Sequence, residues 1–190
     1  MNNPWVAKCF MVMAAVVVSV SSPAQAATPG IALAAKAPIS LPLRDAQGAP
    51  TTLAKQMGTK GLVLVMVRSA SWCPYCKAQI SELNTIRADI AKRGYALAAL
   101  SYDKPDVLAG FTKAKSIGYP LLSDSGSKMI DALALRDPQY ASVAFANGVP
   151  YASILVIGRD GSVKAKQVSG DYKVRPSNAQ VLALIDNAAR

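Results

Sequence analysis

Residues 60–83 read KGLVLVMVRSASWCPYCKAQISEL, and they decide the fold. From Gly61 to Val67 the run is continuously apolar and rich in valine, the composition of a strand buried on both faces, as in a parallel sheet. Pro74 follows Cys73 directly, where its fixed φ suits the first turn of a helix. Ile80, Leu83, Ile86 and Ile90 then keep helical spacing until Gly94, a natural stop. The two cysteines therefore fall at a strand-to-helix turn, three positions apart.

Outward from this unit the chain keeps alternating. Residues 39–56, ISLPLRDAQGAPTTLAKQ, place the turn-forming stretch Asp45 to Gly48 between two short segments, so a small N-terminal hairpin is expected. Downstream, YALAALSYD reads as a strand, Pro105 to Ile117 as a helix, YPLLSD as a short strand or loop, and GSKMIDALAL as a helix. ASILVIG and SVKAKQVSG flank Arg159, Asp160 and Gly161 as a second hairpin. Ser177 with Gln180 forms a capping box ahead of the last helix, VLALIDNAA. This order predicts an α/β layer with a central mixed sheet flanked by helices, its parallel part built from right-handed crossovers.

The N-terminus has the layout of a secretory signal: Lys8, an uncharged apolar run from Phe10 to Val20, and the small-residue triplet Ala24, Gln25, Ala26. A membrane span needs roughly 20 apolar residues, and this run has 11. Residues 1–26 are thus expected to be a cleaved signal peptide, with membrane attachment only through an uncleaved signal. Cys9 would leave with it. Residues 27–38, rich in Ala, Pro and Gly, read as a tail or linker, and residues 39–190 as one domain. The protein is then exported, periplasmic in a bacterium with two membranes.

The net charge is +10, but the lysines are scattered, without the basic runs and interleaved aromatics that track nucleic acid. Neither G-x-G-x-x-G nor a P-loop occurs, so no nucleotide cofactor is expected. The chain contains no histidine. That excludes a Cys-His nucleophilic pair, a Cys2His2 zinc site and haem attachment through C-x-x-C-H.

After export Cys73 and Cys76 are the remaining cysteines. Three chemistries are open to them: thiol exchange, metal binding and a permanent staple. A structural zinc takes four N or S ligands, so a metal would need two chains or added oxygen ligands. A loop of two residues constrains the unfolded chain very little, which weakens the staple. At a helix N-terminus unpaired amides favour a negative charge, so the Cys73 thiol should ionise more readily than a free one, with Lys77 acting the same way. Cys76 would sit one turn in, shielded, placed to close a disulfide.

RSASWCPYCKAQISEL resembles the active-site segment of thioredoxin-like redoxins, in particular the peroxiredoxin-like alkyl hydroperoxide reductase/thiol-specific antioxidant group. ISLPLRDAQG, YALAALSYDKPDVLAGF, YPLLSDSGSKMIDALAL and GVPYASILVIGRDGSV are similar to successive parts of that family. The resemblance implies a thioredoxin-like fold, Cys73 as attacking thiolate, Cys76 as resolving thiol and Trp72 flanking the site. Pro74 and Tyr75 lie inside the pair, and Arg68 and Arg175 are candidate supporting cations. Partners implied are protein thiols and disulfides, a peroxide, and a separate thiol electron donor.

Three positions depart from the family pattern. Ala70 stands where peroxidatic members carry a hydroxyl three residues before the cysteine. Val67 stands where thioredoxins have an aspartate that handles the proton of the second cysteine. In the loop that faces the disulfide, Pro150 matches the first proline of Pro-x-Pro and Ala152 replaces the second. Pro150 is the substrate-loop candidate, cis against the pair or trans at the start of a strand. The expected activity is exported thiol-disulfide oxidoreductase, the alternative a thiol peroxidase, and the third reading a redox-inactive binding module.

Overall fold

The computed structural model describes residues 28–189. The signal-peptide expectation for residues 1–26 therefore lies outside the described residues. In chain order the elements are β1 (Leu43–Arg44), β2 (Pro50–Thr51), a 3-10 turn (Leu53–Gln56), β3 (Gly61–Met66), α1 (Pro74–Thr85), α2 (Arg87–Lys92), β4 (Tyr95–Ser101), α3 (Pro105–Lys115), β5 (Leu121–Ser123), α4 (Lys128–Ala132), a 3-10 turn (Pro138–Tyr140), β6 (Ser153–Gly158), β7 (Val163–Val168) and α5 (Asn178–Ala188). They build one seven-stranded sheet in the order β2-β1-β5-β4-β3-β6-β7. β3, β4 and β5 run parallel; β6, β7 and the β1–β2 hairpin run antiparallel to their neighbours. The mixed α/β sheet with an N-terminal hairpin is the architecture the sequence pattern implied.

Strand β3 shows why both faces must be covered. Side chains alternate along a strand, so Val63, Val65 and Val67 join the core beneath α1, α2, α3 and α5. Leu62, Leu64 and Met66 face the other core, with Met129, Ile130, Leu133 and Leu135. Met66 and Met129 are fully buried packing residues, and Met57 packs partly buried beside them. Gly61 opens β3 because a Cβ there would collide with the Ile157 carbonyl of β6.

The N-terminal hairpin turns on Asp45, whose Oδ1 accepts from Gln47 N at 2.9 Å and Ala49 N at 2.8 Å. The capping box of α5 is reciprocal: Ser177 Oγ accepts from Gln180 N, and Gln180 Oε1 accepts from Ser177 N at 2.8 Å.

Three segments differ from the sequence expectation. The helix after the cysteines breaks at Ile86, whose N–H bonds to Leu83 O. The Glu82 carbonyl that would continue α1 instead accepts from Thr85 Oγ1 and Asn178 Nδ2. GSKMIDALAL yields only the five residues of α4, because Ala134 takes a φ of 54° and the chain runs on into pairing with Tyr151. Within residues 27–38, read as tail or linker, the described part is bonded to the body: Ala34 N donates to Val163 O, Ala37 N to Gly161 O, and Lys36 pairs with Asp160 at 2.7 Å.

Candidate active site

The site forms where β3 and β4 end side by side. Their register pairs Met66 with Leu100, which brings the loop after β3, residues 67–73, against the loop after β4, residues 102–104. The outer end of parallel strands is where an open α/β sheet leaves a crevice.

Cys73 is the N-cap of α1, with Pro74 in the first turn. Its Sγ accepts from Cys76 N at 3.3 Å. The two cysteines are joined as a disulfide, their Cα atoms 5.3 Å apart. Both are buried, Cys73 to 1% exposure and Cys76 to 0%. The shielding expected of Cys76 thus extends to Cys73.

The loop before the pair is held by Asp103, a residue that sequence reading passed over. This buried carboxylate accepts from Ser69 Oγ at 2.8 Å, Ala70 N at 2.7 Å and Ser101 Oγ at 3.0 Å. Ser69 Oγ in turn accepts from Ser71 N and Trp72 N. An acid just past the end of a parallel strand, at the level of the cysteine turn, was the available signal. Lys77 lies close by, but its ammonium donates to Ser71 O at 3.0 Å.

Aromatic rings wall the site. Trp72 Nε1 donates to Tyr102 Oη at 3.0 Å, Tyr102 Oη donates to Phe145 O, and the Trp72 and Phe145 rings meet edge to face. Arg68 is 3% exposed, its guanidinium 3.9 Å from the Tyr172 ring centroid, 4.2 Å from Tyr140 and 5.1 Å from Trp72. Such stacking stabilises a desolvated guanidinium by about 2 kcal/mol. Its Nε has no hydrogen-bond partner among the described residues. Tyr172 also meets Tyr75 edge to face, so the segment after β7, residues 169–177, lies over the first turn of α1.

The same segment carries Arg175, whose Nη2 donates to Cys76 Sγ at 3.4 Å. Burial, then repulsion from Arg68, pulls the Arg175 guanidinium down to about 10, which leaves it charged at neutral pH. Arg175 Nε is also buried without a partner among the described residues.

The structure thus gathers Arg68, Trp72, Cys73, Pro74, Tyr75, Cys76 and Arg175 at one end of the sheet. Val67 and Ala70 are buried there and bring no polar side chain. Pro150 is trans and pairs across an isolated bridge with Arg136. Ala152, two residues on, lines a narrow crevice with Gln79 and Arg175. Among the described residues no cluster of three or more His, Cys, Asp and Glu is arranged to hold a metal, and no helix is long and apolar enough to cross a membrane.

The model of the AhpC/TSA family matches residues 33–166. A curated Mycobacterium tuberculosis protein, "Putative peroxiredoxin Rv2521", is 30% identical over 132 residues, which are 70% of this chain and 82% of that one. Among solved structures, the peroxidoxin BcpB of Mycobacterium tuberculosis superposes with a TM-score of 0.67 at 18% identity, over 86% of this chain and 97% of that one. A cysteine-to-serine variant of Xanthomonas campestris peroxiredoxin Q gives 0.69 at 21% identity, over 86% and 100% of the two chains. At these identities the structural likeness shows a shared fold.

Proposed function

The chain belongs to the AhpC/TSA family and is a peroxiredoxin-like oxidoreductase, and from that premise we propose that it works as an exported thiol-disulfide oxidoreductase. The closed Cys73–Cys76 disulfide in the first turn of α1 carries this reading. A donor thiolate opens the disulfide at Cys73. The reduced Cys73 then attacks a disulfide sulfur of a partner protein, and Cys76 resolves the mixed disulfide and restores the pair. Ala70 offers no hydroxyl to orient a peroxide, and the nearby Ser69 hydroxyl is committed to Asp103 and to two backbone amides. Export rests on the signal-peptide anatomy of residues 1–26, and the family match begins beyond it at residue 33. Loss of those residues from the protein recovered outside the cytoplasm, read by intact mass, tests that part.

The second reading is a thiol peroxidase. The name of the Mycobacterium tuberculosis relative favours it, as does the Arg68 guanidinium beside the site with its Nε unpaired. In this reading the Cys73 thiolate attacks one peroxide oxygen, the O–O bond breaks with departure of the other oxygen as hydroxide or alkoxide, and the resulting sulfenic acid is condensed by Cys76 to the disulfide with loss of water.

The deciding experiment is a pair of rate constants for the reduced protein, followed by Trp72 fluorescence. One is oxidation by hydrogen peroxide, the other exchange with a peptide disulfide. The proposed function expects rapid exchange and a peroxide rate like that of a simple thiolate. A peroxide rate orders of magnitude higher moves the assignment to the peroxidase. A pair that mild dithiols cannot reduce removes both and leaves a binding module.

A further inference from the structure

Cys76 is fully buried, and a thiol in apolar surroundings resists ionisation. Yet Cys76 has to depart as a thiolate when the disulfide opens and attack as one when it closes. Around it, Val67 is buried and apolar at the position where the family resemblance implies a proton-handling aspartate. Among the described residues, the charged or titratable groups placed here are Cys73 across the disulfide, Tyr75 between the two cysteines with Tyr172 against its ring, and Arg175 from the segment after β7, with Arg68 and Asp171 acting on Arg175. Gln79 on α1 is neutral, and Lys77 is turned to Ser71 O.

Arg175 points Nη2 at Cys76 Sγ, 3.4 Å away, and keeps a second donor at Nε that has no partner among the described residues. A neutral disulfide sulfur is a poor acceptor for a guanidinium, whereas a thiolate is a strong one. The cation is thus under-used while the pair is oxidised. Arg68 repels it, and Asp171 is the carboxylate in the balance. A negative charge on Cys76 would offset that repulsion.

We propose that Arg175 stabilises Cys76 as a thiolate whenever the disulfide is open, so that Cys76 leaves and returns as an anion without a proton donor. This deepens the proposed redox cycle and rests on it. In the reductive step a donor thiolate attacks Cys73 Sγ, a donor–Cys73 disulfide forms and the Cys73–Cys76 bond breaks. The bonding pair passes to Cys76 Sγ, which takes the charge beneath Arg175. A second donor thiolate then attacks the donor sulfur of this mixed disulfide, a donor–donor disulfide forms and Cys73 leaves as a thiolate, so the donor pair is oxidised by two electrons and the cysteine pair reduced. In the resolving step the Cys76 thiolate attacks Cys73 of a mixed disulfide and expels the partner's thiolate. Arg175 acts on the reacting sulfur itself, and it takes the place of the absent aspartate by charge instead of by proton transfer.

The test is the titration of Cys76, read as thiolate absorbance near 240 nm in the full chain carrying Cys9→Ser and Cys73→Ser. The expected midpoint lies at least about two pH units below the ~8.5 of a free thiol. Adding Arg175→Met should raise it by about two units or more, while Arg175→Lys, which retains a point charge, should restore part of the shift. Arg175→Gln, which keeps a polar side chain, carries the same expectation as Arg175→Met should that variant fail to fold. An unchanged midpoint in a folded Arg175→Met or Arg175→Gln protein overturns the proposal. The titration uses no substrate, so its outcome is separate from whether peroxide or disulfide is turned over.

Discussion

Two stretches of chain meet at the disulfide, and they are bonded in opposite ways. Before the cysteines, residues 69–72 are tied down throughout: Asp103 holds the Ser69 hydroxyl and Ala70 N, and Ser69 Oγ holds Ser71 N and Trp72 N. Over the cysteines, residues 169–177 are joined to the sheet by Ser169 N donating to Ala152 O. Otherwise the segment bonds largely within itself, as Lys173 N does to Asp171 Oδ1. Its grip on the site comes from Tyr172 against Arg68 and Tyr75, and from Arg175 against Cys76. The first region fixes where the sulfurs are. The second bears on which charge state they take and on what reaches them.

The largest break in that comparison should come from Asp103→Ala. Leaving a buried donor without its acceptor costs about 1–3 kcal/mol, and the Ser69, Ala70 and Ser101 donors would share the loss. A destabilisation of about 3–5 kcal/mol in urea is expected, with Asp103→Asn milder because one acceptor oxygen remains. Wild-type stability in Asp103→Ala would mean that the loop does not depend on it.

Tyr172→Ala removes the covering ring and leaves the 69–72 loop intact. A cation–π contact is worth about 0.5–2 kcal/mol, so a stability loss in that range is expected. The disulfide, freed of its cover, should be reduced several-fold faster by a small dithiol. An unchanged rate would show that Tyr172 does not guard the sulfurs.

Ser177→Ala makes the smallest change, at the far end of the covering segment. Losing an N-cap hydroxyl costs about 1 kcal/mol, measurable as a shift in the urea midpoint. The reduction rate should rise less than in Tyr172→Ala; a larger rise would place the hinge of the cover at α5.

What the sequence revealed and what it concealed divide along the same physical line. The turn from β3 into α1, the two hairpins and the α5 cap are written in neighbouring residues: proline after cysteine, glycine in turns, Ser177 with Gln180. Asp103 bonds to residues 33 and 34 positions away, and the link exists only because β3 and β4 pair in one register. Arg175 reaches Cys76 across 99 positions, so its candidacy could be named from sequence but its target among the two sulfurs could not. The break at Ile86 is likewise tertiary, since Asn178 of α5 helps occupy the Glu82 carbonyl. The enclosure of Arg68 follows from aromatic residues in loops, Tyr140 and Tyr172, that no local pattern assigns to the site.

The central claim is that Cys73 exchanges disulfides and Cys76 resolves them. The most direct test incubates reduced Cys76→Ser and Cys73→Ser proteins, each in a Cys9→Ser background, with a peptide disulfide and reads adducts by mass. The account predicts a stable mixed disulfide at Cys73 in the first protein and far slower adduct formation in the second. Equal trapping at Cys76, or no adduct in either protein, would contradict it.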